Sequence, residues 1–83
     1  MSDRTVIATL PKNSHEDLVV ALDEFRGNRL LDLRLFAQMD GADEKAPTKR
    51  GISINIRKLP ALIEALHDAE AEAKRRGLLD GRG

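Results

Sequence analysis

Apolar and polar positions alternate most strictly in two places. Over Arg29–Phe36, Leu31, Leu33 and Leu35 fall on one face and Asp32, Arg34 and Phe36 on the other, the period-two pattern of a half-buried strand. Ile52-Ser53-Ile54-Asn55-Ile56 repeats the pattern. Thr5–Leu10 is β-branched and loosely alternating, and Pro11 stops it, which predicts a further short strand. From Leu59 the period changes: Leu59, Leu62, Ile63, Leu66, Ala69 and Ala73 follow the three-and-four spacing of an amphipathic helix. Asn55 or a neighbour can cap its start, Pro60 suits its first turn, and Lys74-Arg75-Arg76-Gly77 suits its end.

The segment Asp17–Phe25 satisfies both periods. Read as a helix, Asn13 or Ser14 caps it, Leu18, Leu22 and Phe25 share a face, and Gly27 ends it. Read as a strand, Leu18, Val20 and Leu22 face one way and the chain turns at Arg26-Gly27-Asn28. Periodicity alone slightly favours the helix. Met39–Thr48, with Gly41 and Pro47 as breakers, reads as a loop. There is no internal repeat and no segment long enough to link two domains.

Composition sharpens this outline. Eighty-three residues make one domain with a small core. Cysteine is absent, so neither disulfides nor thiolate-bound metal can supplement that core, and a partner subunit is the remaining device. Only Phe25 and Phe36 are aromatic. No apolar run approaches the ~20 residues of a membrane span, and MSDRTVIATL lacks a cationic stretch followed by a long apolar one. A soluble, intracellular protein with no membrane partner is therefore expected.

The formal net charge of zero conceals segregation. Residues 1–25 carry two basic side chains against five acidic ones, whereas residues 26–58 carry eight against four. A basic block within an acidic frame is the footprint of a nucleic-acid surface, and also of an ordinary solvated face. Arg34 followed by Phe36, both pointing away from the leucine face, offers a cation for phosphate and a ring for a base. The same pair equally suits a ring that covers a sheet edge or packs against a partner.

Catalytic chemistry has little to stand on. His15 and His67 have no second ligand at metal-binding spacing, and Gly51 stands alone rather than in a phosphate-cradling loop. Ser2, Ser14 and Ser53 have no nearby base, and Asp32 beside Arg29 and Arg34 is most simply a charge partner. No enzyme activity, cofactor or metal is expected.

Three runs of residues carry a resemblance. Glu24-Phe25-Arg26-Gly27, Leu31-Asp32-Leu33-Arg34, and above all Pro47-Thr48-Lys49-Arg50-Gly51-Ile52-Ser53 leading into Leu59–Leu66 resemble the transcriptional positive cofactor four family of single-stranded-DNA-binding coactivator domains. The resemblance covers about residues 17–76, with a looser fit over 5–10. It implies an α+β fold: a curved four-stranded antiparallel sheet followed by one C-terminal helix, assembled as a homodimer. It also implies a strand over 17–25. The chain is expected to form a single domain over residues 1–76 with a flexible tail over 77–83, past the glycine that ends the helix.

For function, the resemblance implies non-sequence-specific binding of single-stranded DNA, regulating transcription and assisting replication or repair, with RNA polymerase or repair proteins as further partners. Phe25 would stack on a base, and Arg26, Arg34, Lys45, Lys49 and Arg50 would grip phosphates. Eukaryotic members carry a tryptophan late in the long strand, where this chain has Ala37-Gln38. Phe36 is the available substitute, but it lies one residue, and so one face, away. Loss of a stacking platform costs roughly 1–3 kcal/mol per base. The acidic-serine-rich regulatory segment of eukaryotic coactivators is also absent, as expected of a bacterial or phage-type member. Two other readings are a protein-interaction module that docks a transcription or repair enzyme, and an RNA-binding module.

Overall fold

The computed structural model describes residues 4–79. Four strands, β1 (Thr5–Pro11), β2 (Glu16–Phe25), β3 (Asn28–Gln38) and β4 (Lys45–Asn55), form one antiparallel sheet in sequence order. A 3-10 turn (Ile56–Lys58) leads into α1 (Leu59–Arg75). The architecture is the α+β sheet-then-helix arrangement implied by the family resemblance. Among the described residues, no helix is long and apolar enough to cross a membrane.

Residues 17–25 are strand, as the family resemblance implies and against the slight helical preference of their periodicity. Leu18, Leu22 and Phe25 fit a helical stripe, but β2 is the second strand of four and pairs on both sides, Val19 with Thr9 and Arg34, Ala21 with Val6 and Asp32. Those ladders outweigh a weak local preference, and the β-branched Val19 and Val20 favour a pleated setting. A difference lies in Lys45–Thr48, whose Pro47 suggests a loop but which belongs to β4. The sheet tolerates Pro47 because β4 is an edge strand, where a missing amide donor need not break a ladder. The connecting loop is shorter as a result, running from Met39 to Glu44.

Register defines the two faces. Leu18, Val20 and Leu22 lie opposite Leu35, Leu33 and Leu31, which in turn face Ile52 and Ile54 across β4. This aliphatic face has no covering layer. Leu31 is buried, but Leu22 and Ile52 are 37 % and 54 % exposed. The opposite face is polar yet better closed. Val19, Ala21 and the Asp32 carboxylate are buried there, and Arg4 bridges Asp23 (3.5 Å) and Asp32 (3.0 Å), which flank Ala21.

The helix leaves the sheet rather than lying on it. Asn55 Oδ1 accepts from the Arg57 amide (2.9 Å), capping the 3-10 turn, and Pro60 sits in the first turn of α1. At the other end the Leu78 amide donates to the Ala73 carbonyl (2.8 Å) and the Gly77 amide to Lys74 (3.0 Å), with Gly77 at φ 74°. That is the closing motif expected of a glycine just past a helix. Of the expected tail over 77–83, residues 80–83 lie outside the described residues. No residue of α1 is buried, and Ile63 and Leu66 are 44 % and 57 % exposed. The molecule is only 17 Å across its thinnest dimension and exposes 6824 Å², against about 4,900 Å² for a typical folded monomer of this mass.

Candidate nucleic-acid interface

Phe25 closes β2, paired with Asn28 across a two-residue turn. Arg26 (φ 53°) and Gly27 (φ 79°) are both left-handed there, the mirror-image turn that matches strand twist. A left-handed arginine costs about 1–2 kcal/mol. In return the turn presents the two side chains together: the Arg26 guanidinium lies 5.1 Å from the Phe25 ring centroid, and Phe25 is 58 % exposed. An exposed ring with an adjacent cation can stack a base and meet its phosphate.

The other expected residues gather at the opposite end of the sheet. Phe36 is half-buried, between Asp17 on β2 and Pro47 on β4. Lys45 donates to Asp17 (3.1 Å), and Arg50 pairs with Glu16. Glu16 is also bonded by Lys12 and Asn13, at 3.0 Å each. The Lys49 side chain is exposed and has no ion pair among the described residues. Asp17 and Phe25 are eight positions apart on β2, roughly 26 Å of strand. The structure therefore brings Phe36, Lys45, Lys49 and Arg50 into one region and Phe25 and Arg26 into another.

Arg34 links β3 to β4. Its Nη2 and Nε donate to Asp32 (2.8 and 3.4 Å), and its Nη1 reaches the carbonyls of Thr48 and Lys49 (3.4 and 3.3 Å). Those carbonyls belong to a bulge. Between the pairs Arg34–Gly51 and Phe36–Pro47, β4 has two more residues than β3. Thr48 Oγ1 donates to the Leu35 carbonyl (2.7 Å) and accepts from the Arg50 amide (3.1 Å), which fixes the bulge from the inside. Gly51 follows because the strands nearly touch: at φ 154° an added Cβ would press on the Leu33 carbonyl oxygen and come within 2.9 Å of Arg34 Cα. Arg34 thus braces the segment that carries Lys49 and Arg50.

Asp32 is the hub of this bracing. It accepts from Arg34, from Arg4 (3.0 Å) and from Ser53 Oγ (2.7 Å). Its partners are Arg34 and Arg4, and not Arg29, which lies opposite Glu24. Burial opposes its charge, yet the hydrogen bonds from Arg34, Ser53 and Arg4 outweigh burial and hold its pKa below the ordinary aspartate value. Residue pattern did not mark Lys12, Arg29 or Arg57 as site residues. Lys12 reaches Glu16 across the β1–β2 turn, while Arg29 and Arg57 line one groove beside the β2–β3 turn. Only the fold brings them there. Among the described residues, no group of three His, Cys, Asp or Glu side chains could hold a metal ion.

The family model of transcriptional coactivator p15 (PC4) matches residues 12–65. The chain belongs to that family of DNA-binding coactivators. Solved structures agree. The PC4 homologue of Burkholderia pseudomallei in its tetragonal crystal form is 29 % identical, covers 82 % of this chain and 98 % of its own, and superposes with a TM-score of 0.71. Its orthorhombic form gives 30 % identity, 80 % and 88 % coverage, and a TM-score of 0.71. The bacteriophage T5 homologue, implicated in recombination-dependent DNA replication, is 28 % identical over 92 % of this chain and 89 % of its own, with a TM-score of 0.65. No curated protein sequence matches significantly.

Proposed function

We propose that the protein is a non-catalytic, non-sequence-specific binder of single-stranded DNA that acts as a homodimer in transcription, with a further role in replication or repair. The observation that carries the reading is the exposed Phe25 ring beside Arg26, on the same sheet as the cations of the β4 bulge. A ring stacks on any base and a guanidinium meets any phosphate, so the pair favours unpaired strands without selecting sequence. The roughly 26 Å of strand between the two regions corresponds to about eight nucleotides at a stacked rise of 3.4 Å. That lies within the ~4–16 nucleotides a small single-strand-binding domain occupies.

Two exposed apolar surfaces support the dimer: the leucine face and the Ile63–Leu66 stripe of α1. Stable domains put a second layer over such a face, and a second copy can supply what this helix does not. The replication role rests on likeness to the T5 homologue. RNA polymerase and repair proteins are the corresponding protein partners, and the bacterial cytoplasm with its nucleoid the corresponding place.

Fluorescence anisotropy with labelled single-stranded DNA, duplex DNA and RNA across a salt series tests the reading. Single strands should bind more tightly than duplex, with a log–log salt slope of about −0.7 per neutralised phosphate. Equal, weak binding to all three, unchanged by Lys49→Glu with Arg50→Glu, would overturn it.

A further inference from the structure

Arg29 alternates with Leu31, Leu33 and Leu35 on β3 and lies opposite Glu24, so it belongs to the turn end of the leucine face. It is exposed and has no ion pair among the described residues, not even with Glu24. A notch of about 430 Å³ opens beside it, with Leu22, Glu24 and Ile56 in its wall. The apolar stripe of α1 carries the opposite charge. Glu70 comes seven residues after Ile63 and four after Leu66, on the same side of the helix as both. Its carboxylate is 56 % exposed, and its ion pair with Lys74 spans 4.0 Å.

Covering either apolar surface therefore takes a charge out of water. A lone buried charge is costly, whereas an opposite charge brought against it offsets much of that cost. A second copy brings the two surfaces together with room to spare. The chain exposes 6824 Å², about 1,900 Å² more than a typical folded monomer of this mass and well above the ~800 Å² per partner that a standard interface covers. The spacings agree as well. Glu70 lies one helical turn, about 6 Å, beyond Leu66, and Arg29 lies two residues, about 7 Å, beyond Leu31. A helix laid along β3 of a second copy with its Leu66 over Leu31 thus sets Glu70 at Arg29.

We propose that Glu70 of one copy pairs with Arg29 of a second copy, and that this contact fixes how each helix lies along the leucine face of the other chain. Two-fold symmetry makes the contact reciprocal, so each dimer holds it twice. The proposal rests on the homodimer reading above and adds register and direction to it: the C-terminal half of α1 runs towards the β2–β3 turn of the other copy.

The test mixes two charge-reversed full-length chains. In the homodimers of Arg29→Glu and of Glu70→Arg, like charges meet twice, and each homodimer should dissociate about tenfold more readily than the wild type. Mixed in equal amounts, the two variants regain both opposite-charge contacts. Sedimentation velocity with one variant labelled should therefore show a heterodimer of near wild-type strength, and a chain carrying both reversals should recover likewise. Arg29→Gln, which removes the charge without reversing it, should flatten the salt dependence of dimerisation. Mixed chains that associate no more tightly than each variant alone, or an unchanged salt dependence in Arg29→Gln, overturn the pairing and leave the dimer intact. A wild type that stays monomeric at tens of micromolar removes both.

Discussion

Asp32 and Arg34, two residues apart on β3, are joined through a pair of hydrogen bonds (2.8 and 3.4 Å) on the polar face of the sheet. The carboxylate is 5 % exposed and the guanidinium 22 %. Because Arg34 also holds the Thr48 and Lys49 carbonyls, the pair transmits the geometry of the sheet to the bulge that carries the cations. Asp32→Asn should destabilise the protein by about 2 kcal/mol, less than a fully buried pair because both arginines are partly solvated. Urea denaturation measures this, and an unchanged midpoint would show that the brace is dispensable.

The same residue predicts an acid limb. A depressed aspartate pKa means that the folded protein binds the proton less tightly than the unfolded chain. The stabilisation is complete above the unfolded value of about 3.9 and is lost as pH falls through the lower folded value. Wild-type stability should therefore drop below pH ~4, and the drop should be shallower in Asp32→Asn. Parallel limbs in the two proteins would place the acid sensitivity elsewhere.

Gly51→Ala should be among the most damaging single substitutions, costing on the order of 2–4 kcal/mol. The added Cβ meets backbone rather than a yielding side chain, the Leu33 carbonyl and Arg34 Cα, so β3 and β4 must separate. Amide exchange should rise first in residues 49–54. Retained protection there would mean that the bulge can absorb the methyl group.

How much of this was legible beforehand depends on whether a feature is local. The alternation of Leu31, Leu33 and Leu35 and the spacing of Leu59–Leu66 each lie within one element, and the structure has both. Residues 17–25 are ambiguous by period because Leu18, Leu22 and Phe25 satisfy two of them; the family resemblance implies the strand, and pairing with β1 and β3 is its physical reason. Pro47 misled because its meaning depends on whether the strand lies at an edge, which no local pattern records. The bracing of Arg34 against the Thr48 and Lys49 carbonyls joins residues far apart in the chain, so composition could show the basic block but not its division into paired and unpaired cations.

Phe25→Ala separates stacking from charge. Because Phe25 is 58 % exposed, removing its ring should change stability little, within about 0.5 kcal/mol. Single-strand affinity should fall by roughly 1–3 kcal/mol with the salt slope unchanged. Wild-type affinity in this variant would remove Phe25 from the interface.

The carboxylates of the bulge predict a gain. Glu16 occupies Arg50 and Lys12 as a phosphate would, so a bound strand must displace it. Glu16→Gln keeps the shape of the side chain and its capacity to accept from Asn13, but removes the competing charge. Single-strand binding at low salt should tighten several-fold and its salt dependence should steepen, since two more cations become available to phosphate. The opposite result, weaker binding together with a lower melting temperature, would mean that Glu16 orders Arg50 for the ligand rather than competing with it. The two roles are thus separable by one titration and one melt.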